Sequence, residues 1–232
     1  QDSLHGYVNG PNERVGKSPI KTLNIQANEA YNQGLPALEL ACVLAQAAEL
    51  FDELTDAGTT ASELLHQTQF QLSMGDSYFA EIAKYRAMRG LAIQFAAAYD
   101  VALKSNDVQI LAMSSDWSSA QDDPHSHMLH ATTQGMSAII GGADALCIKP
   151  FYPIFENKNL AERSARNISS ILREESYLAK VVDPSAGTYY IESLTQQLHH
   201  QAWQLFVAIE EAGGITALDA EQLKSLHQKS SS

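Results

Sequence analysis

Residues 70–99 read FQLSMGDSYFAEIAKYRAMRGLAIQFAAAY, and this stretch decides the fold. Phe70, Leu72 and Met74 alternate with polar residues, which is the two-residue period of a β-strand. Gly75 turns the chain, and the aspartate and serine that follow it can each cap a helix. The apolar face of this helix recurs at steps of three or four residues, at Ile82, Tyr85, Met88, Ala92, Phe95 and Tyr99. The stretch therefore predicts one strand followed by one helix.

The same strand-helix pattern occurs three more times along the chain. Residues 20–26 have the composition of a short strand, and a helix follows beyond Gly34, with a second short helix after it. The apolar run 108–113 precedes a helix that starts near Pro124, because proline suits the first helical turn. The fourth apolar run, 143–148, precedes helical spacing at Leu160, Ile168, Ile171 and Leu172. Four such units predict an α/β fold with a parallel sheet, since tight turns cannot join parallel strands.

Two architectures accommodate four strand-helix units. One is a small doubly wound sheet, and the other is half of a (β/α)8 TIM barrel, whose usual length is about 250 residues. An open four-stranded sheet leaves two unpaired edges in either case. We expect residues 1–19 to form an N-terminal arm or loop, because they lack periodicity, and residues 20–232 to form the half-barrel domain with its C-terminal helices.

The C-terminal region adds helices to these units. Residues 189–191 are predicted to be extended, and an amphipathic helix then runs to Ile209 and ends before two glycines. A last short helix follows. Asp183, Pro184 and Gly187 are predicted to have a structural role, in which the glycine supplies backbone freedom at the bend.

Composition and charge exclude several classes of protein. The 232 residues are 45% hydrophobic and 18% charged, which is typical of an ordinary globular protein. Fifteen Lys and Arg against 27 Asp and Glu give a net charge of −12, which argues against a nucleic-acid partner. No signal sequence opens the chain, and Asp100 interrupts the most apolar helix, so neither secretion nor membrane insertion is expected. Cys42 and Cys147 lie in apolar segments and are predicted to be buried reduced thiols of a cytoplasmic protein.

Three histidines form the sharpest local pattern. His125, His127 and His130 could bind one metal ion together with Asp122 or Asp123, as in zinc sites. The spacing departs from the helical metal-binding pair, whose members are four residues apart. The alternative, which we favour, is a set of polar residues near a helix N-terminus with no metal.

Other chemistry-bearing residues have equally ordinary explanations. Cys147 could be a nucleophile, but no base lies near it in sequence. Lys84, Arg86 and Arg89 could bind an anion, although exposed ion pairing between Glu81 and Lys84 explains the charges as well. Taken alone, the residues predict no catalytic constellation.

Three stretches carry a resemblance to a known family. They are YFAEIAKYRAMRGLA from Tyr78, ATTQGMSAIIGGADALCIKPF from Ala131, and RSARNISSILREESYLAKVVDPSAGTYYIESLT from Arg163. In order and spacing they resemble the C-terminal half of the substrate-binding barrel of methylmalonyl-CoA mutase. The resemblance implies an adenosylcobalamin-dependent isomerase of methylmalonyl-CoA and succinyl-CoA, with acyl-CoA threaded through the barrel and cobalamin in a separate domain. No DxHxxG motif follows Gly214, so we expect this chain to bind no cobalamin.

Departures from the family pattern indicate which member the chain resembles. Asn28 and Glu29 replace a Tyr-His pair that reaches the acyl group, and a carboxylate beside an anionic substrate has the wrong sign. Gln67 and Gln69 replace an arginine and a serine that the family directs from the next strand toward the CoA phosphates. These four positions are therefore expected to be vestiges of a substrate pocket. The block GGADALCIKPF is similar to the non-catalytic small subunit of heterodimeric mutases.

The resemblance thus implies a small-subunit-like, non-catalytic part of the mutase, with a catalytic mutase subunit as partner and homo-oligomers when isolated. Two alternatives remain open at this stage. The chain could be a fragment of an active acyl-CoA mutase with altered acyl specificity, or a scaffold domain that binds another protein.

Overall fold

A computed structural model describes residues 21–27, 34–115, 124–150 and 158–230 of the chain. Strands and helices alternate through most of these ranges. In chain order they are β1 (Leu23–Gln26), α1 (Pro36–Asp56), α2 (Ala61–Gln67), β2 (Thr68–Met74), α3 (Tyr78–Ala98), β3 (Ile110–Ser114), α4 (Pro124–Ile140), β4 (Ala145–Cys147), α5 (Lys158–Glu174), α6 (Tyr189–Glu211) and α7 (Ala220–Ser230). Short 3-10 helices lie at Ser105–Asp107, Leu178–Lys180 and Ile215–Ala217.

The sheet is parallel, and its strands lie in sequential order, β1-β2-β3-β4. Leu23 of β1 pairs with Thr68 of β2, Phe70 of β2 pairs with Ile110 of β3, and Leu111 of β3 pairs with Ala145 of β4. Parallel crossovers are right-handed, so a sequential order places every connecting helix on the same face of the sheet. A doubly wound fold would reverse the strand order at a switch point, and this sheet does not. The prediction of an α/β half-barrel is confirmed.

Helices α1, α3 and α6 form the thickest part of the core. Helix α6 packs over both α1 and α3, so it forms a second layer outside the helices that cover the sheet. Phe95 of α3 lies at their junction, with ring centroids 5.5 Å from Phe51 of α1 and 6.1 Å from Phe206 of α6. None of the helices in the described ranges is apolar over a length that would span a membrane.

The start of α6 differs from the sequence prediction. Residues 189–191 were predicted to be extended, which is wrong, because α6 already begins at Tyr189. Ile191 is buried against the core, and Glu192 lies in the first helical turn, where its carboxylate accepts the N–H of Gly187 at 3.2 Å. Tyrosine and isoleucine favour strands intrinsically, but burial of the helix face overrides this preference.

Candidate functional site

The sheet face opposite the helices carries a row of amide side chains. Asn24 and Gln26 project from β1 and Gln69 and Gln71 from β2, since alternate residues of a strand share one face. Gln69 Nε2 donates to Asn24 Oδ1 at 3.1 Å, and Asn24 Nδ2 donates to Gln71 Oε1 at 2.8 Å. Gln71 Nε2 in turn donates to Gln26 Oε1. We call these four side chains the amide row, and in a barrel they lie on the inner wall.

The amide row contrasts with the filling of most TIM barrels. Branched apolar side chains usually pack the barrel interior in layers. Here Asn24 and Gln26 are exposed, and the two β2 amides are half-buried. A row of neutral hydrogen-bonding groups at this position suits an interior that admits polar groups or water.

The structure describes two of the four predicted pocket positions. Gln69 belongs to the amide row. Gln67 is the last residue of α2, so its predicted placement on the strand is wrong by one residue, and its Oε1 accepts from Thr22 Oγ1 at 2.6 Å. Asn28 and Glu29 lie outside the described residues. Both described positions therefore carry neutral amides bonded to neighbouring side chains.

Polar side chains also gather at the carboxyl ends of the strands, where barrel enzymes carry their active sites. Ser115 Oγ donates to the carbonyl at the end of β2 at 3.0 Å, and Ser114 Oγ accepts the N–H of Lys149 at 2.7 Å. Gln134 of α4 donates to Asp76 Oδ1 at 2.7 Å. Our sequence analysis missed this set, although all but Gln134 directly end or follow a predicted strand.

A cluster of buried charged side chains lies near the carboxyl end of β2. Lys84 Nζ lies 2.8 Å from Glu39 Oε2 and 2.8 Å from Glu81 Oε2, and it donates to the Ser73 carbonyl at 2.7 Å. Glu39 Oε1 accepts the N–H of Ser73 at 2.6 Å, and Tyr85 OH donates to the Ser73 carbonyl at 2.8 Å. The pairing of β1 with β2 ends two residues earlier, so these side chains bond the backbone of β2 beyond it.

The charges of this cluster are almost fully removed from water. The side chains of Lys84, Glu39 and Glu81 are each at most 5% exposed, so the prediction of an exposed Glu81–Lys84 pair is wrong. Burial raises the pKa of Glu81, and the Lys84 ammonium offsets only part of that rise. Burial alone would lower the pKa of Lys84, but the two carboxylates outweigh it and the pKa is raised. The Glu81 carboxyl therefore holds its proton to a higher pH than an exposed glutamate does.

The two arginines of α3 join separate segments of the chain. Arg86 donates to Asp183 at 2.5 Å and to Glu192 Oε1 at 2.7 Å. Arg89 donates to Asp144 Oδ2 at 2.8 Å and to three backbone carbonyls, which include those at positions 105 and 142. The guanidinium groups of both arginines donate to acceptors within the chain, which supports a structural role rather than the anion site considered above. The bond to Asp183 also supports the structural role predicted for that residue.

These arginines line a cleft of about 500 Å³ at the amino-terminal edge of the sheet. Its apolar lining includes Ile93, Ile139 and Leu178. Arg86 and Arg89 are paired with carboxylates of the protein, so their charges are compensated within the chain.

Neither cysteine has the environment of a nucleophile. Burial, and to a smaller extent Glu39, raises the pKa of the free Cys42 thiol to about 12. Burial also raises the pKa of Cys147, with Lys149 opposing it. Reactive cysteines require a lowered pKa. Cys42 is buried as predicted, whereas Cys147 is half-buried.

The histidines lie on α4. His127 is 9% exposed and His130 is exposed, while His125 is in the first helical turn. Asp122 and Asp123 lie outside the described residues. In the ranges that the structure covers, no three His, Cys, Asp or Glu side chains converge as metal ligands do.

Sequential parallel strands, helices on one face and amide side chains on the other face of β1 and β2 define part of a (β/α)-barrel protein. A family model described as Methylmalonyl-CoA mutase matches residues 17–230. The chain belongs to the methylmalonyl-CoA mutase family.

Curated relatives agree with this assignment. The chain is 40% identical over 201 residues to "Methylmalonyl-CoA mutase small subunit" of Porphyromonas gingivalis, covering 85% of the chain and 32% of the relative. It is 36% identical to the protein of the same name from Streptomyces virginiae, with the same coverage of both chains. It is 32% identical to "Methylmalonyl-CoA mutase" of Escherichia coli, covering 83% of the chain and 28% of the relative. The chain thus spans about a third of the length of these relatives.

Proposed function

We propose that the chain is the C-terminal half of the barrel of a small-subunit-like methylmalonyl-CoA mutase and is itself non-catalytic. In this role it supports a catalytic mutase subunit that interconverts methylmalonyl-CoA and succinyl-CoA. Adenosylcobalamin supplies the radical chemistry of that reaction and is held outside this chain. The two unpaired thiols, Cys42 and Cys147, support a reducing, cytoplasmic setting.

The observation that carries this proposal is that the side chains at positions 67 and 69 are neutral and already hydrogen-bonded within the chain. Gln67 and Gln69 occupy positions where the resemblance implies an arginine and a serine directed at phosphate groups. An amide lacks the charge that makes arginine-phosphate hydrogen bonds strong. Both amides also have bonding partners already, in Thr22 and Asn24, which substrate binding would have to break.

Calorimetric titration tests the non-catalytic part of the proposal. We expect no measurable binding of methylmalonyl-CoA or adenosylcobalamin to the 232-residue protein, with the Escherichia coli relative titrated as the positive control. Micromolar binding of either compound would contradict the proposal and favour an active acyl-CoA mutase with altered acyl specificity.

A charge-restoring variant sharpens this test. Gln67→Arg returns a cation to one pocket position, but it leaves Gln69 and the amide row as they are. Because residues of a binding site act as a unit, we expect the variant to bind no acyl-CoA either. Binding restored by this single change would show that the missing positive charge alone, rather than the whole set of amide side chains, prevents acyl-CoA binding.

Co-purification tests the supporting role. The tagged chain, expressed in its source organism, is expected to retain the large catalytic mutase chain, identified by mass spectrometry. Retention of unrelated proteins without any mutase chain would contradict the proposal and favour a scaffold domain.

A further inference from the structure

The cleft at the amino-terminal edge of the sheet has one wall formed by two helices that pack against each other, α3 and α6. On α3 its lining residues are Arg86, Gly90 and Ile93, whose steps of four and three residues place them on one face of the helix. On α6 the lining residue is Thr195, which lies three residues after Glu192, the partner of Arg86. A volume of about 500 Å³ is large enough for a small organic molecule.

Two lining residues of this cleft carry buried polar atoms that lack a partner. Arg86 Nε and Thr195 Oγ1 are buried and form no hydrogen bond within the part of the chain that the structure describes. The other two nitrogens of the Arg86 guanidinium donate to Asp183 and Glu192, so Nε is its remaining donor. Native structures leave few buried polar groups unpaired, because each one costs free energy. A ligand that brings a hydrogen-bond acceptor into the cleft satisfies both groups.

The remaining lining of the cleft is mostly apolar, and its charges are paired. Its apolar side chains include Ile139, Ile140, Leu146, Leu172 and Leu178. Each arginine of the lining has a carboxylate partner: Arg86 pairs with Asp183 and Glu192, Arg89 with Asp144, and Arg173 with Glu174. Three guanidinium groups thus face four carboxylates, so an anion entering the cleft gains no net attraction.

We propose that this cleft binds an uncharged, largely aliphatic molecule that carries a carbonyl or amide oxygen. The oxygen accepts hydrogen bonds from Arg86 Nε and Thr195 Oγ1, and the aliphatic part packs against the isoleucine and leucine side chains. The pairing of the arginines within the chain separates this ligand from phosphates and carboxylates. The inference goes beyond the proposed function and does not depend on it, since neither position 67 nor the amide row lines the cleft.

Calorimetric titration with octanamide tests the inference on the protein as purified from its source organism, together with the chains that it retains. We expect saturable binding of one octanamide per chain. Octanoate has the same chain length but a negative charge, and we expect it to bind at least tenfold more weakly. A cleft that holds only water gives no heat of binding, and that result overturns the inference. Octanoate that binds as tightly as octanamide also overturns it.

A pair of tryptophan variants tests whether the binding occurs in this cleft. Ile93→Trp places a larger side chain in the cleft and is expected to abolish octanamide binding. Ile171→Trp is the matched control, because Ile171 is exposed on α5 and does not line the cleft. The control is expected to bind octanamide like the unaltered protein. Loss of binding in both variants, or in neither, overturns the inference.

Two substitutions of Thr195 test the hydrogen bond itself. Thr195→Val keeps the shape of the side chain but removes its hydroxyl, and we expect it to weaken octanamide binding about tenfold. Thr195→Ser keeps the hydroxyl, and its affinity is expected to stay within about threefold of the unaltered protein. Near-ultraviolet dichroism checks that both variants are folded. Unchanged affinity in Thr195→Val, or an equal loss in Thr195→Ser, overturns the inference.

Discussion

At the residue scale, Lys84 stands between two buried carboxylates, and the three side chains carry one positive charge and up to two negative charges. Removing an ion-pair partner inside a protein leaves an uncompensated buried charge, which costs more than the pair contributes. Lys84→Met leaves Glu39 and Glu81 facing each other without a cation. We expect a loss of about 3–5 kcal/mol in the free energy of unfolding at neutral pH, measured by urea denaturation.

Lys229→Met is the matched control for this prediction. Lys229 is exposed on α7, so the same substitution there is expected to change the unfolding free energy by less than about 0.5 kcal/mol. An equally small effect of Lys84→Met would show that the carboxylates of the cluster are protonated and need no cation.

The raised pKa of Glu81 predicts a particular pH dependence. Burial raises its pKa in the folded state, so between the unfolded and folded pKa values the native state binds more protons. The contribution of Glu81 to the unfolding free energy is fully present below its pKa in the unfolded state. It is lost as the pH rises through its pKa in the folded state. Glu81→Gln cannot ionise, so its unfolding free energy is expected to lack this decline. Urea denaturation of both proteins from pH 4 to pH 8 measures it, and parallel curves would contradict the prediction.

Only part of this cluster could be predicted from the sequence. Glu81 and Lys84 are three residues apart on one helix, so their pairing follows from helical geometry. Glu39 lies 45 residues from Lys84, and no local pattern connects them. Whether such a pair is exposed or buried depends on what covers the helix, and here α1 and the end of β2 do so.

At the scale of elements, the bend before α6 depends on Gly187. Its φ is +75°, and a Cβ added there would meet no atom within 4 Å. The cost of a side chain is therefore backbone strain and not a clash. Gly187→Val is expected to lower the unfolding free energy by about 1–3 kcal/mol, measured as a shifted denaturation midpoint.

Ala186→Val is the control, because it introduces the same residue one position earlier at another exposed site. Its midpoint is expected to stay within the error of the unaltered protein. If both variants unfold at the midpoint of the unaltered protein, a side chain at position 187 causes no backbone strain, and the prediction is wrong.

The elements that the sequence predicted best are those with a long period. Helix α3 shows its face over five turns, and β2 alternates over its whole length, so both were located within two residues. The start of α6 was missed because three residues, Tyr189 to Ile191, are too few to show a helical period. Their strand preference then decided the prediction, whereas packing of Ile191 decides the structure.

At the scale of the whole molecule, the hydrophobic period shows how many strand-helix units the chain has, but it does not show the order of the strands in the sheet. The sequential order of the strands requires contacts between β1 and β2 and between β3 and β4 that no local pattern encodes. This order places all the connecting helices on one face, and it turns the alternating polar residues of β2 into an inner wall. Of the amide row, only Gln69 was expected at a pocket position, through the resemblance, whereas the other three amides were predictable only as strand residues.

The open sheet predicts how the isolated chain behaves in solution. Strands β1 and β4 are the two edges, and each presents backbone groups on one side without a neighbouring strand of the described sheet. Barrel closure removes both edges together, so two copies related by a twofold axis can pair edge to edge. We expect a homodimer or larger assembly with an interface above roughly 1,000 Å². Light scattering at micromolar concentration measures the mass, and near-ultraviolet dichroism checks the fold. A folded monomer whose mass is unchanged on dilution contradicts the prediction, because its edges would then be protected within one chain.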